Sequence, residues 1–185
     1  MKNVKSGLIA VALLTSISGG ANAGGQFYGA IDFGQSRLNG FCDAMAGTAT
    51  CKETDSAFRG SLGYQVMPNF ALEAGYGNYG TAVATGGGLT VEGEVTSLQV
   101  SAIGSYPIDK NFSVTGKLGM ALSTLKANAS FGGNSASADD DDTDLVFGAG
   151  VRYNINEAVG IRGQFERINN DDAIDFLSVG VIFNF

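Results

Sequence analysis

Hydrophobic and polar residues alternate along most of the chain with a period of two, which is typical of β-strands that have one apolar face. The alternation is strongest in the last eleven residues, where every odd-numbered position from Leu177 to Phe185 is apolar. The same alternation recurs in seven earlier segments, at residues 27–37, 58–66, 70–79, 95–106, 112–125, 145–153 and 159–168. The pattern therefore predicts eight strands.

The predicted strands are joined by connections of two kinds. Short turns lie at residues 67–69, 107–111 and 154–158, and longer loops lie at residues 38–56, 80–93, 126–143 and 169–173. This regular exchange of short and long connections is typical of an outer-membrane barrel, whose long loops face the outside of the cell and whose short turns face the periplasm. We also expect the first strand to pair with the last, because closure removes the free edges of the sheet.

The alternation alone is compatible with two kinds of barrel. A soluble, lipocalin-like barrel or other periplasmic binder would bury the apolar face, whereas a membrane barrel turns that face toward lipid. Side-chain size separates the two, because the apolar face carries Phe, Tyr, Leu and Val while the opposite face is mostly Gly, Ala and Ser. The interior of an eight-stranded barrel is only just wide enough for side chains, so the large residues belong outside.

Aromatic residues near the short-turn ends of the predicted strands share the apolar face. They are Phe27, Tyr64, Phe70, Tyr106, Phe112, Tyr153, Phe183 and Phe185. Such a girdle is typical of residues at a membrane interface. We therefore predict an all-β fold, an eight-stranded antiparallel up-and-down transmembrane β-barrel, in the outer membrane of a Gram-negative bacterium.

The first 23 residues have the features of a secretory signal peptide. Lys2 and Lys5 precede an apolar run over residues 8–14, and Ala21-Asn22-Ala23 is a small-x-small cleavage site. The apolar run is too short to be a membrane-spanning helix. We expect residues 1–23 to be removed on export and residues 24–185 to form the barrel domain.

Composition narrows the chemistry of the chain. It has no His and two Cys, Cys42 and Cys51, which are expected to form a disulfide in an exported protein. The absence of His rules out Ser-His-Asp and Cys-His catalysis, and two thiols alone make a metal site improbable, so we expect neither an enzyme nor a cofactor. The net charge of −7 argues against a nucleic-acid partner.

Charged residues are sparse within the predicted strands, and those facing the lumen are Asp32, Arg59, Glu73, Lys117, Arg152, Arg162 and Glu166. Three pairs have similar depth above the periplasmic ends: Glu73 with Arg162, Asp32 with Lys117, and Arg59 with Glu166. Buried charges need partners, so we predict that the first two pairs cross the lumen, with exchange among neighbours where the strands are staggered. A proton or ion relay, or a narrow channel, is the alternative to this salt-bridged plug, which we favour.

The densest run of charge is the four aspartates at residues 139–142, followed by Asp144. Carboxylate oxygens are suitable ligands for a divalent cation, but the spacing of a Ca²⁺-binding loop is absent. We expect a solvated, mobile acidic loop.

Several stretches resemble the transmembrane domain of OmpA-type proteins. GYQVMPNFALEAGY, at residues 63–76, is similar to the second hairpin of that family, with a proline in the turn and the inward Glu73. Residues 105–119 and 147–165 resemble later hairpins. The resemblance implies that Glu73, Lys117 and Arg162 belong to an interior ionic network, and that Ile103, which replaces an interior lysine of the family, alters this network.

The resemblance also implies a function. Small relatives of the OmpX-like and opacity types use their loops to contact host or environmental surfaces, and the tethering domain of larger relatives is not implied here. Val179, Val181, Phe183 and Phe185 resemble the signal that the barrel assembly machinery recognises. We therefore expect a monomer that contacts outer-membrane lipid and lipopolysaccharide, the assembly machinery during insertion, and a ligand on another surface.

Overall fold

The computed structural model describes residues 25–44, 50–131, 134–169 and 173–185. The predicted signal peptide, residues 1–23, lies outside these ranges, so its boundary stays a prediction.

The described residues are almost entirely β-strand. The elements in chain order are β1 (Gln26–Leu38), α1 (Phe41–Ala44), β2 (Thr50–Lys52), β3 (Thr54–Met67), β4 (Phe70–Gly86), β5 (Leu89–Pro107), β6 (Phe112–Phe131), β7 (Asn134–Asn154), β8 (Val159–Asn169) and β9 (Ile174–Asn184). Within the described ranges, no helix is long and apolar enough to cross a membrane.

Eight long strands, β1 and β3–β9, close into an antiparallel barrel. Each pairs with its neighbour in the chain, and β1 pairs with both β3 and β9, so that Phe33 lies opposite Phe58 on one side and Val179 on the other. The predicted pairing of the first strand with the last is therefore confirmed. Closure gives every one of these eight strands a partner along both of its edges.

Large apolar side chains point away from the barrel. Leu62, Tyr106 and Val179 are 69%, 68% and 68% exposed, respectively, and most of the other large apolar side chains on this face are also exposed. The aromatic residues at the short-turn ends also face outward, and the rings of Phe27 and Tyr64 lie 4.8 Å apart. Only an apolar solvent stabilises such a face, because water would penalise this area of exposed hydrocarbon.

The lumen is filled in three layers. Toward the ends of the strands that carry the long loops lies an apolar layer, here the extracellular cluster, formed by Leu38, Ala57, Tyr79, Ala82, Val95, Ala121, Val146, Ile168, Ile174 and Phe176. Toward the short turns lies the periplasmic cluster, formed by Tyr28, Ala30, Ala71 and Ile182. Charged side chains occupy the layer between them.

Two of the predicted loops are wrong, because the strands continue through them. The segment 80–93 contains the end of β4 and the start of β5, joined by Gly87 and Gly88. Their φ angles of 59° and 82° suit the glycines of a two-residue hairpin turn. Of the segment 126–143, residues 126–131 belong to β6 and residues 134–143 to β7, so the acidic residues 139–142 lie on a paired strand rather than in a mobile loop.

The connection between β1 and β3 folds back against the extracellular cluster. Phe41 of α1 packs on that cluster, and Cys42 of α1 forms a disulfide with Cys51 of β2. β2 pairs in turn with the end of β4, where Cys51 lies opposite Ala84. The predicted disulfide therefore attaches α1 to the barrel wall.

Candidate functional site: the ionic cluster in the lumen

Six charged side chains meet in the middle layer of the lumen. Alternation along five strands points all of them inward, and Arg162 and Glu166 share a face because they are four residues apart on β8. The side chains are at most 7% exposed and comprise three cations and three anions: Asp32, Arg59, Glu73, Lys117, Arg162 and Glu166. This group is called the ionic cluster below.

Arg162 joins two carboxylates on the periplasmic side of the ionic cluster. Its Nε and Nη2 donate to the two oxygens of Asp32 at 2.7 Å each, and its Nη1 donates to Glu73 Oε2 at 2.7 Å. A fork of this kind matches the planar geometry of guanidinium and carboxylate, so it is among the stronger hydrogen-bonded pairs in proteins.

Arg59 connects the two sides of the ionic cluster. Its Nη2 lies 3.0 Å from Asp32 Oδ2 and 3.7 Å from Glu73 Oε1, and its Nη1 bonds to Glu166. Lys117 completes the cluster, with Nζ at 2.5 Å from Glu166 Oε2. Each of the three carboxylates thus contacts two cations, which is the condition for burying charge without neutralising it.

Four neutral side chains make further hydrogen bonds to the ionic cluster, and none of them is among the site residues predicted from the sequence. Tyr28 donates to Glu73 Oε2 at 3.0 Å, and Tyr79 donates to Glu166 Oε1 at 3.1 Å. Gln99 donates to Glu166 at 2.7 Å and accepts from Lys117 at 2.8 Å, while Ser61 accepts from Arg162. The alternation of the strands could have identified these four residues, because they share the inward face with the charged positions.

The predicted contacts are formed only in part. Glu73 pairs with Arg162, and Arg59 pairs with Glu166, whereas the predicted pairing of Asp32 with Lys117 is wrong. Two arginines already occupy the oxygens of Asp32, and the register aligns Lys117 with Gly148 and Gly148 with Glu166. The stagger of the strands therefore brings Lys117 to Glu166.

Two other positions from the sequence analysis lie nearer the periplasmic end. Arg152 is separate from the ionic cluster and donates to Asn154 Oδ1 at 2.8 Å and Asn184 Oδ1 at 3.0 Å. Ile103 packs against the periplasmic cluster, so the position where related chains are expected to carry a lysine is apolar here.

A separate charged pair links neighbouring strands at the extracellular rim. Arg167 Nε donates to Asp175 Oδ1 at 2.5 Å, and the Asn39 amide donates to Asp175 Oδ2 at 3.0 Å. These hydrogen bonds, the arginine's first, hold the pKa of Asp175 below its ordinary value. They connect β8 and β9 to Asn39, the residue directly after β1.

The four residues of the predicted assembly signal all lie on the outward face of β9 or just after it. Val179, Val181, Phe183 and Phe185 are exposed on the barrel surface. Recognition by the assembly machinery stays a prediction.

The fold and its charged lumen define the class of protein, a small outer-membrane β-barrel. The family model of the OmpA-like transmembrane domain matches residues 22–180, and the chain belongs to that family. A comparison with curated protein sequences finds no match.

Solved structures share the same fold at low identity. The structure of Ail from Yersinia pestis, in complex with the heparin analogue sucrose octasulfate, aligns with a TM-score of 0.58 at 19% identity and covers 88% of this chain and 99% of that one. The N-terminal β-barrel domain of Pseudomonas aeruginosa OprF aligns at 0.59 and 16%, covering 87% and 99%. OprG of the same organism aligns at 0.52 and 15%, covering 88% and 96%.

The ionic cluster requires a glycine on the neighbouring strand. A Cβ at Gly180 of β9 would overlap the carboxylate of Asp32 and lie 2.6 Å from the carbonyl oxygen of Ile31. We expect Gly180→Ala to lower the free energy of unfolding by about 2–3 kcal/mol, because Asp32 must leave its two arginines. Denaturant titration followed by circular dichroism measures this, since the chain has no Trp.

Gly60 provides the matched control. It lies on the outward face of β3, where a Cβ would meet nothing within 4 Å. We expect Gly60→Ala to change the free energy of unfolding by less than about 0.5 kcal/mol. Equal effects of the two substitutions would contradict the role given to Gly180.

Proposed function

We propose that this protein is a non-enzymatic surface-display barrel: its lumen is closed, and its extracellular hairpins make the functional contacts. The observation that carries the proposal is the contrast between the two regions. The lumen is packed with buried side chains, whereas β6 and β7 extend beyond the apolar band as a hairpin in which residues 135–143 are exposed and include four aspartates.

The packing of the lumen supports closure. Tyr79 and Phe176 of the extracellular cluster are fully buried and meet edge to face, with ring centroids 5.3 Å apart. Below them the ionic cluster is electrically balanced, so it offers no net charge to attract an ion. A permeating ion would have to part buried ion pairs and also cross an apolar layer, and both steps are costly.

A narrow channel for ions or small solutes is the second candidate. The observation that favours it is the set of charged and polar side chains that crosses the lumen between the two apolar clusters. The extracellular cluster opposes it, because a continuous water path would have to pass between fully buried apolar residues.

The extracellular hairpins carry the charge that a partner would meet. Glu94, Lys126 and Asp139 lie side by side in register on β5, β6 and β7, and the aspartates at residues 139–142 are exposed. Thr124 donates to Asp141 Oδ1 at 2.7 Å, which helps to order this acidic strand. Successive aspartates on a strand project from opposite faces, so the acidic surface is presented on both sides of the hairpin.

This charge favours a cationic partner. Ail has been solved with a heparin analogue, which is a polyanion. The acidic strand of this chain would repel such a ligand and attract a basic surface, because complementary potentials steer association. We therefore propose that the surface ligand of this protein is positively charged.

The outward face supports the other proposed contacts. Its apolar band would lie in outer-membrane lipid and lipopolysaccharide, and the outward residues of β9 would present the signal to the assembly machinery during insertion. A monomer fits the closed barrel, because the eight barrel strands leave no unpaired edge within the apolar band.

We expect the purified protein to show no single-channel steps in planar bilayers, because two different layers close its lumen. Phe176→Ala should also be silent, since this substitution opens the extracellular cluster and leaves the ionic cluster intact. Insertion is checked on the same samples by the change in gel mobility between unheated and boiled protein in SDS. Recurrent conductance steps of the native protein would instead support the channel.

We expect a lysine-rich peptide to bind to the protein in micelles, and sucrose octasulfate not to bind. Replacing the aspartates at residues 139–142 by asparagine should weaken peptide binding about tenfold or more, because it removes the densest charge on the hairpins. Isothermal titration at two salt concentrations measures the affinity. The control variant, Asp109→Asn with Glu157→Gln, removes carboxylates from the periplasmic turns and should bind the peptide unchanged; a loss equal to that of the aspartate variant would contradict the assignment.

A further inference from the structure

Arg152 differs from every other arginine in the lumen. Among the described residues, it contacts no carboxylate, and its hydrogen bonds use only Nε and one N–H of Nη2. The ring of Tyr28 lies 6.0 Å from its guanidinium carbon, which gives the cation one apolar neighbour. Its charge is thus not balanced by a bonded anion, and the N–H groups of Nη1 have no protein acceptor in the described part of the chain.

This guanidinium lines a polar cup at the periplasmic end of the barrel. The cup has a volume of about 650 Å³ and is bounded by the short turns and the strand ends that they join. Its wall is rich in side-chain amides, which include Gln26, Gln65, Asn69, Asn111, Asn154 and Asn184. The volume is within the range of small-molecule sites, and the polar wall suits a hydrophilic ligand rather than an apolar one.

A second, smaller cavity lies on the inner side of Arg152. It has a volume of about 30 Å³, and Arg152, Gln164 and Arg162 contribute to its lining. The Nε2 atom of Gln164 is buried there and has no hydrogen-bond partner among the described residues. A residue with a second unpartnered donor therefore lines the same cavity as Arg152, and both donors can be satisfied by an oxygen atom.

Arg152 is held in place by the turns around it. Asn111 Nδ2 donates to the carbonyl oxygen of Asn154 at 2.9 Å, and Asn184 Nδ2 donates to the carbonyl oxygen of Glu157 at 2.9 Å. Asn154 and Asn184 are the two residues that accept from Arg152. The guanidinium is therefore pre-organised, so a ligand would lose little of its binding free energy in ordering it.

We propose that the periplasmic cup binds a small oxyanion, a carboxylate or phosphate group, on Arg152. A guanidinium is the side chain that best matches such groups, because it donates parallel hydrogen bonds to two oxygens. The surrounding amides supply donors for further oxygens. The rim carries two carboxylates, Asp109 and Glu157, and one ammonium, Lys110, which together repel an anion slightly. The affinity therefore comes from Arg152 and the amides around it, and is expected to be millimolar.

If the role of Arg152 is purely structural, its side chain stabilises the turns and does not bind anions. The test is a titration of the folded protein in sugar-headgroup micelles, which contain no lipid phosphate. Inorganic phosphate and acetate are added in separate arms at constant ionic strength, with chloride as the balancing salt. The readout is the ¹H–¹⁵N resonance of Arg152 Nε, identified by its loss in Arg152→Gln. We expect saturable shifts with phosphate, acetate or both, and the arm that saturates first identifies the preferred group.

Three variants make the result specific. Arg152→Gln should weaken binding about tenfold or more, measured on the amide resonances of the turns at residues 108–111 and 155–158. Arg152→Lys should retain part of the binding, since it keeps the charge and loses the fork. Arg37→Gln removes an exposed arginine at the extracellular end of β1, far from the cup, and this variant should bind the anion as the native chain does. The proposal is wrong if neither anion shifts the Arg152 Nε resonance, or if Arg152→Gln binds the anion as tightly as the native chain. If Arg152→Gln does not fold, the titrations of the native chain and of Arg152→Lys still test the proposal.

Discussion

Burial of charge in a narrow lumen is the constraint on which the rest of this structure depends. Desolvation of each ion costs several kcal/mol, so a buried charge is tolerated only when its partners are in place. Here Asp32 lies between Arg59 and Arg162, and those arginines also hold Glu73 and Glu166. Because the partners come from five different strands, the pairs form together only when the barrel is closed in one register.

The small residues of the inward face follow from the same constraint. Gly180 leaves room for Asp32, and Gly63 leaves room for the ring of Tyr28, which in turn bonds to Glu73. The apolar clusters above and below separate the ions from the aqueous phases on both sides, which strengthens each pair through a lower local dielectric. Outside the barrel, the large side chains that the lumen cannot hold become the apolar surface that lipid stabilises.

The two ends of the barrel meet different solvents and differ accordingly. At the periplasmic end, turns of a few residues with their own asparagine hydrogen bonds surround Arg152. At the extracellular end, β4–β7 continue beyond the apolar band, Phe41 of α1 packs on the extracellular cluster, and the disulfide links α1 to β2, which pairs with the end of β4. The acidic strand and Arg152 of the cup are thus at opposite ends of the barrel, so the two proposed contacts, which prefer opposite charges, would not interfere with each other.

Strand alternation was sufficient to predict the barrel, its closure and the inward charges, since lipid on one side and a tight lumen on the other impose opposite side-chain sizes. The same signal fails beyond the membrane. In residues 80–93 the buried positions carry only small residues, such as Ala82, Ala84 and Gly93, and the described residues of 126–143 are mostly exposed. No contrast in side-chain size or polarity therefore marks either segment as strand, and their Gly, Thr, Ser and Asp content suggested loops. The partner of Lys117 in the ionic cluster was also not predicted, because the sequence does not show how far neighbouring strands are shifted relative to one another.

A double-mutant cycle on Glu73 and Arg162 tests the central claim most directly, that the ionic cluster is a cooperative structural unit. Glu73→Gln, Arg162→Met and the double variant are compared by reversible unfolding in micelles. We expect a coupling free energy of about 2–4 kcal/mol, because either single change removes one partner of a buried ion and leaves the ionic cluster with an unbalanced charge. The pair Asp32 and Lys117, which do not bond to each other, should couple more weakly. Coupling near zero for Glu73 and Arg162 would contradict the account.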